Sequence, residues 1–265
     1  MHARRLIVAL PKGGSGKTAT AVAFAWALEH MKKRVLLADL DPQGHSGAAL
    51  GVSQTAATYR VGDWLLNLEA PFAPTEVSPF LHVVPATPHE AGLDRRVEQE
   101  SYEVGPILVR TALDRVADQY DYIICDCPPN LAAVSYNALL AGPVLAPVEM
   151  NRLAVSTVPA LLRAQAKARA RKVYDARLLA LLPTRCSSEH TIEYRQSFEM
   201  LGRIAQLGNH RVTRARIPLA TAIARSLAES RFLFGPEYRD SIGPPAYLAA
   251  VDEVLPLLEE DATHG

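Results

Sequence analysis

A glycine-rich loop lies between a predicted strand and a predicted helix near the start of this sequence, and it limits the possible folds more than any other segment. The loop, PKGGSGKT at residues 11–18, follows the apolar run LIVAL and precedes the helical pattern ATAVAFAWAL. This order places backbone N–H groups at the positive end of a helix dipole, which is where proteins commonly bind phosphate. Pro11 stands where the general pattern G-x-x-x-x-G-K-[ST] has its first glycine, but Gly13, Gly14 and Gly16 still allow the backbone to approach a phosphate closely.

The side chains of the loop predict contacts to a nucleoside triphosphate and its metal ion. Lys17 occupies the position of the lysine that reaches the β- and γ-phosphates, and the Thr18 hydroxyl occupies the position that binds Mg²⁺. Lys12 is a second lysine, which a single phosphate loop does not require. We predict nucleotide contacts for Lys12, Gly13, Gly14, Ser15, Gly16, Lys17, Thr18 and Ala19.

Two acidic clusters follow later strands and predict the rest of the metal site. Asp39 and Asp41 end the run LLADLD, and strand alternation would place both on one face at the carboxyl edge of the sheet, where open α/β proteins bind ligands. One of these carboxylates would hold the water shell of the metal, and the other would orient the attacking water. Asp126 ends the apolar strand YIICD, the Walker B arrangement, and would bind Mg²⁺ through water. The predicted metal-binding residues are Thr18, Asp41 and Asp126.

Apolar runs alternate with helical patterns along the whole chain, which predicts an α/β fold, a mostly parallel twisted sheet with helices on both faces. The predicted strands are 6–10, 35–39, 81–84, 122–126, 144–148 and 178–182, with a seventh near 215–217. The predicted helices are 17–31, 105–119, 131–141, 154–172, 189–207, 219–230 and 246–260. The Pro-rich stretch at 71–79 is predicted as a surface connection. A chain of 265 residues with this pattern suits one domain, 1–265.

Composition argues against several other classes of protein. Hydrophobic residues make up 49% and charged residues 21%, as in ordinary globular proteins. No apolar run approaches the roughly 20 residues of a membrane span, and the amino terminus runs directly into a strand, so we expect a cytoplasmic protein without a signal peptide. Cys125, Cys127 and Cys186 lack the spacing of a disulfide or metal framework and are expected to be reduced thiols.

The net charge of zero conceals a basic block in the middle of the chain. Residues 151–235 carry 15 Lys and Arg against 5 Asp and Glu, whereas residues 1–150 carry 12 against 16 and residues 236–265 carry 1 against 7. An anionic partner such as nucleic acid would explain the block, and arginines on solvated helix surfaces are the alternative. Arg163, Lys167 and Arg171 fall at i, i+4 and i+8 of the predicted helix 154–172, so they form one stripe.

Together, these motifs resemble the deviant-Walker ATPases of the ParA/MinD superfamily, and most closely the ParA/Soj-type DNA-partition ATPases. The resemblance is carried by KGGSGKT with its extra lysine, DLDPQG, DYIICDCPPN and the helix that contains YNAL. Weaker matches at LHVVPATPHEAGLDRRVE and around RIP at 216–218 extend it over about residues 4 to 235. The resemblance implies a P-loop NTPase fold of the deviant Walker A type, with ATP and Mg²⁺ as cofactors.

The resemblance also implies roles for individual residues. Lys12 would cross the interface of an ATP-bound homodimer and contact the phosphates held by the other subunit, where a second cation stabilises phosphoryl transfer. Asp41 would position or activate the hydrolytic water, and Asp39 would support the metal or the switch region. The implied catalytic residues are Lys12, Lys17, Asp39 and Asp41, and the implied adenine contacts are Thr184, Arg185, Ile217 and Pro218.

Two departures from the family pattern lie near the predicted metal site. Cys125 and Cys127 flank Asp126 where the family usually has an aliphatic residue and threonine, and HSG follows DPQG where NAT is common. The lysine, aspartate and threonine positions needed for chemistry are intact. We therefore expect these changes to affect packing or the switch segment more than ATP binding.

Members of the family bind DNA without sequence preference through basic residues of the carboxyl half, and such binding is steeply salt-dependent. The resemblance predicts an ATP-dependent dimerising ATPase that drives chromosome or plasmid segregation with a ParB-type centromere-binding partner and associates with the nucleoid. No helix-turn-helix precedes the loop, which is typical of the short, chromosomal type. The basic block at about 151–235 would bind DNA, with contacts from Arg163, Lys167, Arg171, Arg203, Arg214, Arg216 and Arg225.

The alternatives are a cargo-positioning ATPase and a MinD-like cell-division ATPase of the same superfamily. MinD-like membrane recruitment needs a terminal amphipathic helix with a basic polar face. The end of this chain, YLAAVDEVLPLLEEDATHG, is acidic, so anionic lipid should repel it. We therefore predict a docked carboxyl-terminal helix at about 246–260 and no membrane partner.

Overall fold

Seven strands form one sheet in the computed structural model, which describes residues 3–53, 55–90, 92–170, 176–187 and 191–260. In chain order the strands are β1 (Arg4–Val8), β2 (Val35–Asp39), β3 (Thr75–Ser78), β4 (Leu81–Val84), β5 (Tyr122–Asp126), β6 (Val144–Glu149) and β7 (Leu178–Thr184). Across the sheet they lie in the order β3-β4-β2-β5-β1-β6-β7. Neighbouring strands are parallel except for β3, which runs antiparallel to β4 at the edge.

Helices cover both faces of the sheet. In chain order they are α1 (Lys17–His30), α2 (His45–Ala49), α3 (Val61–Leu66), α4 (Leu93–Val104), α5 (Leu108–Asp114), α6 (Ala133–Leu139), α7 (Arg152–Val155), α8 (Val158–Ala170), α9 (Ile192–Gly208), α10 (Thr221–Ala228) and α11 (Gly243–Glu260). Helices α3 to α9 contribute to one apolar core, and α1, α2, α10 and α11 contribute to a second. The neighbouring strand residues Leu36 and Leu37 belong to different cores, because side chains alternate along a strand.

The carboxyl ends of three central strands meet at one edge of the sheet. Asp126, the last residue of β5, is in register with Val8 of β1 on one side and with Asp39 of β2 on the other. The glycine-rich loop follows β1 at this edge, and α1 begins directly after it at Lys17. The parallel sheet therefore brings together three motifs that are far apart in the sequence.

The α/β class and six of the predicted strands are confirmed, three with the predicted bounds and three with ends shifted by one or two residues. The strand predicted near 215–217 is wrong: residues 215–217 form no strand, and the isolated bridges lie on either side of them, between Leu181 of β7 and Val212 and between Cys186 and Pro218. Pro218 has no N–H group with which to continue a ladder. The remaining strand, β3, lies in the stretch that was predicted as a surface connection. It was not predicted because its four residues, TEVS, are only partly buried and carry no apolar pattern.

The helices differ from prediction mainly where they are short. The predicted helix 154–172 contains two separate helices, the end of α7 and α8. The last two residues of this predicted helix, 171–172, and the first two of the predicted helix 189–207 lie outside the described ranges. The predicted helices 105–119 and 131–141 are shorter, as α5 and α6, and α11 begins three residues before its predicted start at 246. Helices α2, α3 and α4 were not predicted, since the first two span about one turn and the third, LDRRVEQESYEV, is mostly polar.

Candidate functional site

The loop after β1 has a backbone that two glycines make possible. Gly14 and Gly16 have φ angles of 77° and 88°, in the left-handed region that residues with a side chain rarely adopt. Gly16 is also the N-cap of α1. Because the first N–H groups of a helix have no partner within it, this arrangement presents donors and the positive end of the helix dipole at the loop.

Lys17, the first residue of α1, is buried at the base of the loop. Its Nζ atom donates a hydrogen bond of 2.8 Å to the backbone carbonyl of Lys12. Burial lowers the pKa of Lys17, and the carboxylate of Asp126 is the main influence that raises it. A desolvated ammonium group beside helix N–H groups is well suited to bind an anionic oxygen.

Asp126 has an incompletely satisfied carboxylate. Its Oδ2 atom accepts two hydroxyl donors, from Thr18 Oγ1 and from Ser46 Oγ, each at 2.7 Å. Its Oδ1 atom is buried and accepts no hydrogen bond from any described residue. Burial raises the pKa of Asp126 to about 6, and burial together with the neighbouring Asp126 raises the pKa of Asp39 well above its usual range. A buried carboxylate oxygen without a donor, next to a hydroxyl, has the chemistry that a hard divalent cation requires, so the residues present fit Mg²⁺.

The structure places Asp41 beyond the end of β2, because the strand ends at Asp39 and the chain then turns, so strand alternation does not extend to Asp41. Together with burial, the Asp41 charge nevertheless raises the pKa of both Asp39 and Asp126. Asp39 is fully buried, and its carboxylate accepts three backbone N–H groups, from Asp41 at 3.2 Å, Ser46 at 2.9 Å and Gly47 at 3.1 Å. Asp41 is half-buried at the wall of a cleft and accepts the N–H of Gln43 at 3.0 Å. Asp39 therefore orders the segment, whereas Asp41 offers the accessible carboxylate.

The cleft has a volume of about 450 Å³ and combines a polar end with an apolar end. The polar end is the loop with Asp41, and the apolar end is formed by residues 217–220, between α9 and α10, and by α10 itself. Every predicted nucleotide contact except Lys12 lines this cleft: Gly13, Gly14, Ser15, Gly16, Lys17, Thr18, Ala19, Thr184, Arg185, Ile217 and Pro218. The volume and the mixed lining are those of a site for a small molecule with an anionic and an apolar part.

Sequence reasoning missed most of the apolar wall. Ile223 and Leu227 lie one turn apart on α10, a pattern that indicates an amphipathic helix but not whether its apolar face meets a core or a ligand. Tyr247 comes from α11, is buried, and places its hydroxyl 3.5 Å from Thr20 Oγ1. The full set of unpredicted lining residues is Gln43, His45, Pro129, Leu219, Ala220, Ile223, Ala224, Leu227 and Tyr247.

Two predicted nucleotide contacts that line the cleft, Thr184 and Arg185, form different interactions with the rest of the protein. Thr184 Oγ1 donates to the backbone carbonyl of Ser15 at 2.7 Å, which ties the end of β7 to the loop. Arg185 has a φ angle of 48°, and its guanidinium pairs with Glu149 at 3.0 Å. Lys12 is half-buried, and no described residue forms an ion pair with its ammonium group.

The predicted DNA-binding residues are spread over several elements. Arg163 and Lys167 are exposed on α8, with Lys167 Nζ 5.9 Å from the centre of the Tyr136 ring. Arg171 lies outside the described residues. Arg214 is exposed in the segment after α9. Arg163 and Lys167 keep the predicted i, i+4 spacing on α8, whereas Arg225 lies on α10, which packs on the other face of the sheet.

Three of the predicted DNA-binding arginines have partners on their own protein. Arg203 pairs with Glu199 at 2.5 Å, and Arg225 pairs with Glu229 at 3.2 Å, each one helical turn apart. Arg216 stacks its guanidinium 4.5 Å from the centre of the Phe198 ring and donates to the Tyr194 hydroxyl at 2.9 Å. Charge count alone does not reveal these pairings, because each depends on where the helix places its neighbours.

Three further features of the described residues concern reactive cysteines, metal-binding clusters and membrane-spanning helices. Cys125 and Cys127 are buried and unpaired, and burial raises the pKa of Cys125 to about 12, which disfavours a reactive thiolate. Within the described ranges, no cluster of three or more His, Cys, Asp and Glu side chains forms a protein-only metal cage. No helix in those ranges has the length and apolarity needed to cross a membrane.

Comparison with known proteins gives matches over most of the chain. The AAA_31 family model, described as an AAA domain, matches residues 3–177. The chain is 40% identical over 156 residues to the chromosome partitioning protein ParA of Myxococcus xanthus, covering 57% of this chain and 54% of that protein. It is 38% identical over 184 residues to the chromosome-partitioning ATPase Soj of Thermus thermophilus, covering 68% and 69%. The first of these matches therefore spans about half the length of the relative.

A solved structure extends the similarity to nearly the whole chain. Cobyrinic acid a,c-diamide synthase from Mycobacterium smegmatis, with a bound ATP analogue and magnesium, superposes with a TM-score of 0.77 at 28% identity. The superposition covers 96% of this chain and 94% of that one. The family model and the match to Soj show the family, and the loop, the two acidic strand ends and the parallel sheet are consistent with it. The chain belongs to the ParA/Soj-type partition ATPases of the ParA/MinD group of P-loop proteins.

Proposed function

We propose that this chain is an ATPase that pairs with a second copy when ATP is bound, binds DNA without sequence preference, and segregates a chromosome or plasmid with a ParB-type partner. The observation that supports it most is the cleft, in which the loop, Asp41 and an apolar wall surround a volume suited to a nucleotide. Family membership gives the process in which such an ATPase would act.

The nucleotide would lie with its phosphates on the loop and its base against the apolar wall. The N–H groups at the start of α1 and the ammonium of Lys17 would hold the phosphate oxygens. Lys17 Nζ now donates to the Lys12 carbonyl, so a phosphate would take over that donor. The base would pack against Ile217, Pro218 and the α10 residues Ile223 and Leu227, which present carbon surface at the other end of the cleft.

Thr18 and Asp126 would hold magnesium beside the phosphates. The hydroxyl of Thr18 is 2.7 Å from Asp126 Oδ2, and Asp126 Oδ1 lacks a donor among the described residues. When bound, magnesium neutralises charge on the phosphate oxygens. Burial of the carboxylate supports this role, because a buried carboxylate needs a cation or donors to remain ionised at neutral pH.

Asp41 would orient the water that attacks the terminal phosphate. Its carboxylate is accessible in the cleft, and one oxygen is held by the N–H of Gln43 at 3.0 Å. Asp39 has no accessible oxygen, so its contribution would be to fold the 41–47 segment around its own carboxylate. This assigns the two carboxylates different roles, one positional and one at the reaction centre.

Lys12 would act across the interface of a dimer. It lies in the loop but outside the cleft wall, and its ammonium group has no ion-pair partner among the described residues. In a symmetric pair, Lys12 of each subunit would reach the phosphates bound to the other, which makes ATP part of the interface. Arg163 and Lys167 on α8 would then belong to a DNA-binding surface that is doubled by the pairing.

Retention of non-specific duplex DNA tests the proposal when it is measured with ATP, with ADP and without nucleotide, at low and high salt. We expect retention only with ATP and a steep decline as salt rises, because the contacts would be to phosphates. Equal retention without nucleotide would contradict ATP control. ATP-dependent pairing without DNA retention would favour the cargo-positioning alternative.

The Lys12→Ala variant tests the interface directly. By analytical ultracentrifugation with ATP, the wild type should sediment as a dimer and Lys12→Ala as a monomer. Lys33→Ala is a matched control, because Lys33 is an exposed lysine in the turn between α1 and β2. Normal pairing by Lys12→Ala would remove the role across subunits, whereas loss of pairing in both variants would indicate a general charge effect.

A further inference from the structure

The first turn of α2 joins the two buried carboxylates of the carboxyl edge. The backbone N–H groups of Ser46 and Gly47 donate to Asp39 Oδ2 at 2.9 and 3.1 Å. The hydroxyl of Ser46 donates to Asp126 Oδ2 at 2.7 Å. Ser46 is completely buried, so its hydrogen bonds to the two carboxylates are shielded from water. One residue thus contacts the last residue of β2 and the last residue of β5.

The hydroxyl of Ser46 is not needed to begin the helix. The N-cap position of α2 is Gly44, and the N–H groups of Ser46 and Gly47 in the first turn already donate to the carboxylate of Asp39. A serine at an N-cap would instead accept a backbone N–H with its oxygen. The Ser46 hydroxyl is a donor to a side chain in another strand, so capping does not explain it.

The bond from Ser46 constrains the orientation of the Asp126 carboxylate. Thr18 and Ser46 donate to the same oxygen, Oδ2, from α1 and from α2. The two oxygens of a carboxylate are equivalent, so a half-turn restores the same arrangement, but any smaller rotation would move the accepting oxygen away from both hydroxyls. Two donors on one oxygen therefore keep the other oxygen available, and removal of one donor would weaken that restraint.

We propose that Ser46 is a positioning residue for the magnesium site, and that it couples occupation of that site to the first turn of α2. The inference rests on the magnesium site of the proposed function. The Ser46 hydroxyl holds the carboxylate of Asp126 in the orientation that a cation needs. The same residue lies in the segment that carries Asp41, so a change at Asp126 is transmitted to the wall of the cleft through one hydrogen bond.

The test compares the affinity for a fluorescent ADP analogue in magnesium and in EDTA, for the wild type and Ser46→Ala. We expect magnesium to increase the affinity of the wild type for ADP. In Ser46→Ala this increase should be about tenfold smaller, which is the usual loss when a residue that supports a metal ligand is removed. The affinity in EDTA should be unchanged, because Ser46 does not line the cleft. Ser197→Ala is the matched control, a serine equally buried on α9 with no hydrogen-bond partner for its hydroxyl among the described residues.

Hydrogen exchange of the Ser46 and Gly47 amides gives a second readout. With ADP bound, magnesium should slow exchange of these amides in the wild type and should not do so in Ser46→Ala. An equal loss of affinity in magnesium and in EDTA for Ser46→Ala would overturn the inference, since it would indicate only a folding role. The inference would also be overturned if magnesium increased the affinity of Ser46→Ala as much as that of the wild type. Absence of any magnesium gain in the wild type would overturn the magnesium site itself, which distinguishes that failure from a failure of Ser46 alone.

Discussion

The cleft and the basic surface both depend on charged side chains, but the protein holds those charges in opposite ways. At the cleft, Lys17, Asp39 and Asp126 are buried and fixed by hydrogen bonds to backbone or hydroxyl groups. On the surface, Arg163 and Lys167 are exposed on one helix face. A buried charge has few alternative orientations, whereas an exposed one is screened and adjustable.

This difference indicates how each region would respond to substitution. Removing a buried charge at the cleft leaves its partners desolvated and unpaired, so single changes should have large effects. Removing an exposed charge leaves its neighbours solvated, so single changes should be small and several are needed for a clear effect. Variants of the two regions should therefore differ in the size of their effects, with the largest at the base of the loop.

Lys17→Ala should cause the largest loss. The variant removes the ammonium group that sits at the base of the loop, and we expect about 100-fold weaker ADP binding, the loss expected for a charged hydrogen bond in a desolvated site. Isothermal titration calorimetry measures the affinity. Lys12→Ala is the matched control, because Lys12 lies outside the cleft wall and should leave the affinity of one subunit for ADP unchanged. Equal losses in both variants would contradict the separation of the two lysines.

Asp41→Ala should slow ATP hydrolysis by about 100-fold while leaving ADP affinity within a few-fold, because Asp41 would act on the attacking water and not on the nucleotide. Turnover is measured by phosphate release, and the ATP-bound dimer should accumulate in sedimentation. Asp39→Ala provides the contrast: it leaves three backbone N–H groups without their acceptor, so it should lower the thermal unfolding temperature. Undiminished turnover in Asp41→Ala would remove it from the reaction centre.

A double charge reversal, Arg163→Glu with Lys167→Glu, tests the basic surface. We expect roughly tenfold weaker DNA retention at low salt, and a salt dependence whose slope falls by about one unit for each DNA phosphate that the variant no longer binds. Arg95→Glu with Arg96→Glu is a control that changes net charge equally, since both arginines are exposed on α4, outside the basic block. Similar losses in both double variants would indicate that net charge, and not this surface, governs DNA binding.

The same contrast explains how much of the molecule could be predicted from its sequence. Six strands were predictable because helices bury them on both faces, which requires continuous apolar residues. The loop was predictable because only glycine readily adopts the φ angles at Gly14 and Gly16. Strand β3 was not, since an edge strand that is only partly buried needs no apolar pattern.

The parts of the site that were not predicted depend on tertiary neighbours. The stacking of Arg216 on Phe198 and the contact of Tyr247 with Thr20 join residues from different elements, and no local pattern records them. The three N–H bonds to Asp39 arise because β2 ends there and the chain folds back over the carboxylate. The sequence predicted which charged residues would lie at the carboxyl edge of the sheet, but not which of their side chains would remain accessible.

Glu90 tests whether burial of a carboxylate has the same effect away from the cleft. Its two oxygens accept the N–H groups of Gly62 at 2.5 Å and Thr87 at 3.0 Å. Burial raises the pKa of Glu90, and this effect exceeds the lowering by those two hydrogen bonds. Asp63 raises the pKa further, and Arg60 acts in the opposite direction. Because the folded-state pKa is above the unfolded value, the contribution of this group to stability is complete below the unfolded pKa and is lost as pH rises through the folded one.

Glu90→Gln should therefore gain stability relative to the wild type as pH rises from about 4 to about 7, around a constant offset on the order of 1 kcal/mol for the altered hydrogen bond. Urea unfolding of both proteins across this range measures the difference, and every other titrating group cancels because the two chains share it. Parallel pH profiles would show that Glu90 ionises as easily in the folded chain as in water. The raised pKa values at the cleft would then require a cause beyond burial, namely the close approach of Asp39 and Asp126 to each other.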